Sequence, residues 1–183
     1  TFPNTNIWSA NAQDISRIAV VAHPARAGSG AIRLSVFPSD VAAQRNRAEI
    51  NMVYGHNPQT DTWADAWYAW SFMVPEDYYD DFKNPQFQIM GQFHVVPDFD
   101  NGEDWKDYPN APPMISIQYG YDDKGCGIGL FYGLQNKKYQ PQRIAKTYIN
   151  KGQWYDIVLH INWSTSDDGY VEVWLNNKPL SDK

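Results

Sequence analysis

Apolar and polar residues alternate with a period of two along most of this chain, and no other feature limits the fold as much. Tyr155, Ile157, Leu159, Ile161 and Trp163 form the cleanest stripe, with Asp156, Val158, His160 and Asn162 between them. Successive side chains of a strand point to opposite faces, so such a stripe reads as a strand with one buried side. Ile32, Leu34 and Val36 alternate with Arg33 and Ser35, and Ile115, Ile117 and Tyr119 make a further stripe. In RNRAEINMVY, Ala48, Ile50, Met52 and Tyr54 share one face, while Arg45, Arg47, Glu49 and Asn51 share the other. WYAWSFMVP, residues 67–75, is apolar on both faces, as a central sandwich strand would be. STSDDG then YVEVWL signals a hairpin with Asp168-Gly169 at its tip. No long amphipathic helix is found; only VAAQRN around Val41 suggests a helical turn. Short strands punctuated by Gly, Pro and Asp predict an all-β, antiparallel β-sandwich of jelly-roll form.

A chain of 183 residues suits one such domain, over residues 1–183, better than two. No apolar run approaches the roughly 18 residues of a membrane-spanning helix, so no membrane partner is expected. Cys126 is the single cysteine, which excludes an internal disulfide. The net charge of −6 gives no bulk attraction for a polyanion, and no nucleic-acid recognition motif is present; an anion site must be built locally. Eight Trp and twelve Tyr exceed what one core hides. They fit strand positions, and they equally fit a cleft in which flat rings stack on sugars.

The stretch FQIMGQFHVV, residues 87–96, raises a chemical question. Read as a regular strand, it puts Phe87, Ile89, Gly91 and Phe93 on a core face and Gln88, Met90, Gln92 and His94 on the other. If this polar face and that of Arg45, Arg47, Glu49 and Asn51 lie together in one sheet, they form a patch of Arg, Glu, Gln and His. Arg with Gln is a cradle for a carboxylate, and a neighbouring His can move protons near neutral pH. The plain alternative is an exposed sheet face with an Arg–Glu pair of little energetic consequence. His160 reads as a surface residue. Two segments differ in charge: the acidic PDFDNGEDWKDYP (97–109) and the basic, acid-free NKKYQPQRIAKTYINK (136–151), both expected as loops.

RNRAEI, the segment from WADAWYAWSFMVPEDYY to GQFHVV, and GQWYDIVLHINWSTSDDGYVEVWLNNKPL resemble the jelly-roll polysaccharide lyases with a concanavalin-like sandwich. The resemblance is to the group of glucuronan lyases and heparin lyase I, and more distantly to alginate lyases. It implies a secreted enzyme that cleaves an acidic polysaccharide by β-elimination. It assigns catalytic roles to Gln92, His94 and Arg47, a lesser one to His56, and leaves Glu49 to hold Arg47. Arg45, Asn51, Gln88, Gln118 and Lys138 are candidate substrate contacts. In such lyases a strand like Y-F-K-x-G-x-Y follows the W-L-N hairpin and supplies a catalytic Tyr. Here the sequence ends at Lys183, so a further C-terminal segment is expected, with Tyr132 the named substitute and Tyr139 behind it. No cofactor is required by this chemistry. Some members carry calcium, but DFDNGED (98–104) lacks the full pattern of a calcium loop and reads as a solvated acidic loop. The rival functions are a carbohydrate-binding module or lectin on the same sandwich, and a glycoside hydrolase, which needs two facing carboxylates.

Overall fold

A computed structural model of the chain describes residues 8–40, 46–52, 65–79, 87–94, 97, 99–107, 113–122, 125–132, 142–164 and 166–180; the side chains of 121–126 and 132 fall outside that description. Every extended element is a β-strand in an antiparallel pair, and the helical segments are three-residue 3-10 turns. None is long and apolar enough to cross a membrane. The chain divides into two compact units, Thr1–Asn57 and Pro58–Lys183. The helical turn expected around Val41 lies outside the described residues.

In the first unit β1 (Trp8–Ala12) pairs with β4 (Ala48–Met52), and β2 (Ile18–Val21) pairs with β3 (Ala31–Leu34). Arg17 anchors the loop after β3: its Nε lies 2.8 Å from Asp40 Oδ2, and its Nη2 donates to Oδ1 at 3.0 Å. Asp40 is only 2% exposed, and it also accepts from the Phe37 amide at 2.9 Å. The Arg17 hydrogen bond lowers the Asp40 pKa against the opposing effect of burial, with the Phe37 amide assisting.

The second unit is a two-layer sandwich. One sheet has the order β12-β11-β10-β5, from β5 (Asp65–Met73), β10 (Trp154–Asn162), β11 (Tyr170–Leu175) and β12 (Lys178–Pro179). The other has the order β6-β7-β8-β9, from β6 (Phe87–Phe93), β7 (Ile115–Asp122), β8 (Gly125–Tyr132) and β9 (Gln142–Tyr148). Between them lies one core in which Ile115, Ile117, Tyr119, Ile128 and Leu130 meet Phe72, Ile157, Leu159, Ile161 and Val173. The stripe of β10 alternates buried and half-buried without a break, as its sequence requires. The expected β10–β11 hairpin forms, although the strands part at Asn162 and Tyr170. The loop between is tied by Asn162 Nδ2 donating to the Asp168 carbonyl at 2.9 Å. Asn176 and Asn177 take φ of 50° and 62° and close the β11–β12 hairpin; Asn tolerates this left-handed region better than most residues.

Two expectations about this sheet are corrected. β5 pairs with β10 alone among the described residues, and its outward Trp67 is 62% exposed, so it is not a strand buried on both faces. The aromatic richness that suggested a central strand serves one inner face and one outer face. His160 does lie on the outer face, but it is held rather than solvated. Its Nδ1 is 2.8 Å from Glu172 Oε2 on β11, and its Nε2 is 2.5 Å from Asp65 Oδ1 on β5.

Burial works against a charged His160, but the hydrogen bonds and charges of Glu172 and Asp65 outweigh it and raise the pKa above 6.5. A raised folded value means that stability from this charge is fully present below the unfolded histidine value and is lost as pH rises through the folded one. The stability difference between wild type and His160→Asn should therefore shrink as pH rises above about 6.5. Urea unfolding across that range measures it, and a difference that stays constant would show that the imidazolium contributes nothing.

Candidate functional site

β7 defines the two faces of its sheet. Ile115, Ile117 and Tyr119 are buried in the core, so Ser116, Gln118 and Gly120 point to the other side. Register carries that outer face across four strands. The first rung is Gln92, Ser116, Phe131 and Arg143; the second is Ile89, Gln118, Gly129 and Lys146; the third is Phe87, Gly120, Gly127 and Tyr148. No position in these rungs is acidic, and two are cationic.

The faces of β6 are not those of a regular strand. The register slips between Ile89 and Gly91, leaving Met90 as an extra residue. Before the slip, Gln88 is opposite Tyr119 and so takes a core-face position, while Phe87 and Ile89 fall on the outer face. The expectation that Gln88 stands beside Gln92, and that Phe87 is buried, is corrected; Phe87 is 48% exposed. After the slip Phe93 and the extra Met90 pack against the core, and Gln92 is exposed on the outer face as expected. Gly91 explains the position of the bulge. A Cβ there would lie 2.9 Å from Trp70 Cζ2, so only glycine lets the strand approach the indole.

A second slip occurs between Leu130 and Phe131, where Ile144 is the extra residue on β9. The basic segment expected as a loop is therefore in part a strand, Gln142–Tyr148. The bulge breaks the alternation that would have revealed it, and it turns Arg143, Lys146 and Tyr148 onto the outer face. These residues, with Phe131, are site residues that the sequence pattern concealed. The Lys146 Nζ stands 4.8 Å from the centroid of the Tyr148 ring.

Phe131 makes a flat floor between the amide and cationic ends. A Cβ at Gly129 would come within 2.8 Å of Phe131 Cε2 and 3.5 Å of Arg143 Cδ, so the ring and the Arg stem cross the bare glycine. Gln118 Nε2 donates to Ser116 Oγ at 3.0 Å, which fixes the amide beside this floor. His94 follows the end of β6 and is exposed. Its ring centroid is 6.4 Å from Trp105, which is in turn 6.4 Å from Phe99. The two 3-10 turns Phe99–Asn101 and Trp105–Asp107 thus supply aromatic side chains next to the imidazole. Among the described residues no group of three or more His, Cys, Asp or Glu could hold a metal ion; Asp98 of the acidic segment lies outside them.

Arg47 belongs to the first unit. Its Nη1 donates to Glu49 Oε1 at 2.8 Å, and the same oxygen accepts from Asn11 Nδ2 at 3.3 Å. Glu49 therefore orients Arg47, as expected. The buried Arg47 Nε has no partner among the described residues. Asn51 lies on β4 opposite Ser9 and is half-buried. Among the described residues β4 pairs with β1 and β6 with β7, so the single sheet expected to carry both Arg47 and Gln92 is not found there. Arg45, His56, Lys138 and Tyr139 lie outside the described residues. Tyr132 ends β8 opposite Ile115.

Amides, cations and an aromatic ring thus share one outer face of this sheet, on which Ser116 itself is buried. Residues 3–183 match the sequence pattern of the polysaccharide lyase family, and the chain belongs to that family. Its structure is similar to the crystal structure of an endo-β-1,4-glucuronan lyase from the fungus Trichoderma reesei, with a TM-score of 0.62 and 18% sequence identity. The match covers 91% of this chain and 66% of that one, so the chain spans just under two thirds of the fungal enzyme's length. The fold is thereby the jelly-roll sandwich expected. No curated protein matches the chain significantly in sequence.

The packing of Phe131 on Gly129 is directly testable. Gly129→Ala should destabilise the protein by about 1–3 kcal/mol through overpacking. Most of that cost should vanish when Phe131→Ala is present as well, since the colliding ring is then gone. Urea unfolding of the two single variants and the double variant gives the answer; additive costs would place the ring elsewhere.

Proposed function

We propose that this chain acts as a lyase on a uronate-containing polysaccharide, with glucuronan or a similar polyuronate as its substrate, in a secreted setting. The observation that carries this reading is the three rungs Gln92–Arg143, Ile89–Lys146 and Phe87–Tyr148 on the outer face of β6–β9, which set amides and cations beside a flat ring with no acidic position among them. β-Elimination removes the proton beside the uronate carboxylate, forms a carbon–carbon double bond and expels the glycosidic oxygen. That proton becomes acidic only when the carboxylate charge is neutralised. The Gln92 amide offsets that charge by hydrogen bonding to the carboxylate. His94, two residues beyond Gln92, takes the proton.

The first rung crosses three strand spacings, roughly 14 Å, which is more than one sugar residue. Arg143 and Lys146 accordingly hold carboxylates of residues other than the one that Gln92 grips. Phe131 lies under the chain between them. A glycoside hydrolase is disfavoured by the same face, because its rungs offer no pair of carboxylates.

Incubation with a panel of polyuronates, followed by ultraviolet absorbance of the unsaturated product, tests the reaction class. Absorbance is expected with at least one polymer; new reducing ends without it would mean hydrolysis, and binding without either would mean a lectin. Gln92→Ala should lower kcat by about 10²–10³ with little change in KM, because the amide acts as charge builds in the transition state. Arg143→Gln should instead raise KM several-fold at nearly constant kcat, as loss of a contact equally strong in both states does. Near-normal steady-state kinetics in both variants would remove this face from the reaction.

A further inference from the structure

The second unit has another outer face, that of β5, β10 and β11, and its character is opposite. Its positions are Asp65, Trp67, Ala69 and Ser71 on β5; Asp156, Val158, His160 and Asn162 on β10; and Tyr170, Glu172 and Trp174 on β11. Three are carboxylates, and the one basic group, His160, is already engaged by Asp65 and Glu172.

Trp67 stands out on this face. It is 62% exposed, yet its ring is fixed: it stacks on His160 at 4.0 Å and 8°, and on Trp174 at 5.5 Å and 23°. The imidazole behind it is itself locked, with a carboxylate at each nitrogen and the Tyr170 hydroxyl 3.3 Å from Nε2. A large exposed ring that is already ordered loses little entropy when a ligand stacks on it. Beside Trp67 on the same strand face, Ala69 is small and Asp65 is 61% exposed. The indole therefore rises above a low floor, with a carboxylate one pleat away to accept hydrogen bonds.

We propose that Trp67, backed by His160 and flanked by Asp65, is a binding platform for a neutral pyranose polymer, separate from the cationic face of β6–β9. An apolar ring face next to a hydrogen-bond acceptor matches the apolar face and hydroxyl rim of a pyranose. The charge decides the class of sugar. Asp65, Glu172 and Asp156 repel a polyuronate, while a neutral chain meets no such penalty. The protein would thus hold a neutral glycan on one sheet and act on an acidic one at the other.

Native-gel affinity electrophoresis tests this, with a β-glucan, a mannan or a xylan in the gel, and a polyuronate gel alongside. Wild type should be retarded by at least one neutral polymer. Trp67→Ala should weaken that retardation about tenfold or more, Trp67→Phe less, and Gln92→Ala not at all. Circular dichroism and thermal melts establish that the variants fold. Should Trp67→Ala fail to fold, Trp67→Phe and Asp65→Asn serve as weakened variants in its place. Retardation by no neutral polymer, equal retardation of wild type and the Trp67 variants, or retardation by polyuronate alone would each overturn the proposal. So would a Trp67-dependent dimer in place of glycan binding, seen by sedimentation.

Discussion

The two sheets of the second unit share one hydrophobic core, and every outward feature follows from the residues that must fill it. Ile115, Ile117 and Tyr119 of β7 meet Ile157, Leu159 and Ile161 of β10 across that interior. Burying one such aliphatic side chain is worth about 1.5–3 kcal/mol. Shifting either strand by one residue would expose the whole stripe, so the register of these two central strands has little freedom. With their inward residues committed, the alternate positions are released for chemistry: Ser116 and Gln118 on one outer face, Asp156 and His160 on the other.

The strands flanking β7 and β8 obey the same constraint but depart from regular geometry. β6 and β9 each carry a bulge between the first and second rungs of the outer face, at Met90 and Ile144. A bulge turns later side chains to the opposite face without breaking the sheet. On β6 it lets Gln92 point outward while both Met90 and Phe93 pack against the core. On β9 it sets Ala145 inward and Arg143 outward. The rung that joins Gln92 to Arg143 thus depends on both irregularities, and the glycines at 91 and 129 provide the close approaches that accompany them.

The two outer faces differ in electrostatics in a way that net charge hides. One gathers amides and cations, and the other gathers carboxylates around an aromatic stack. His160 is the link that makes the second face rigid. It ties β5, β10 and β11 together through Asp65 and Glu172, and its ring also supports the Trp67 indole. Two carboxylates favour the charged form of this imidazole, and an indole face beside it favours that form further. Packing, charge and exposure at Trp67 are therefore set by one histidine.

The sequence by itself determined the fold class, because the stripes of β7 and β10 admit only strands with one buried side. It also determined the hairpin after β10, through its turn residues, and the outward exposure of Gln92 and His94. The pairing of Arg47 with Glu49 was legible too, since two residues apart on a strand is one face. Only the tertiary structure decided where alternation stops. Gln88 looked equivalent to Gln92 until the bulge at Met90 placed it opposite Tyr119, and Arg143, Lys146 and Tyr148 looked like loop residues until β9 paired with β8. The role of His160 was equally hidden, because Asp65 and Glu172 lie far from it in the chain and meet it only through strand pairing. A period of two is a local property of the backbone, whereas a bulge is set by what the neighbouring strands and the core can accommodate.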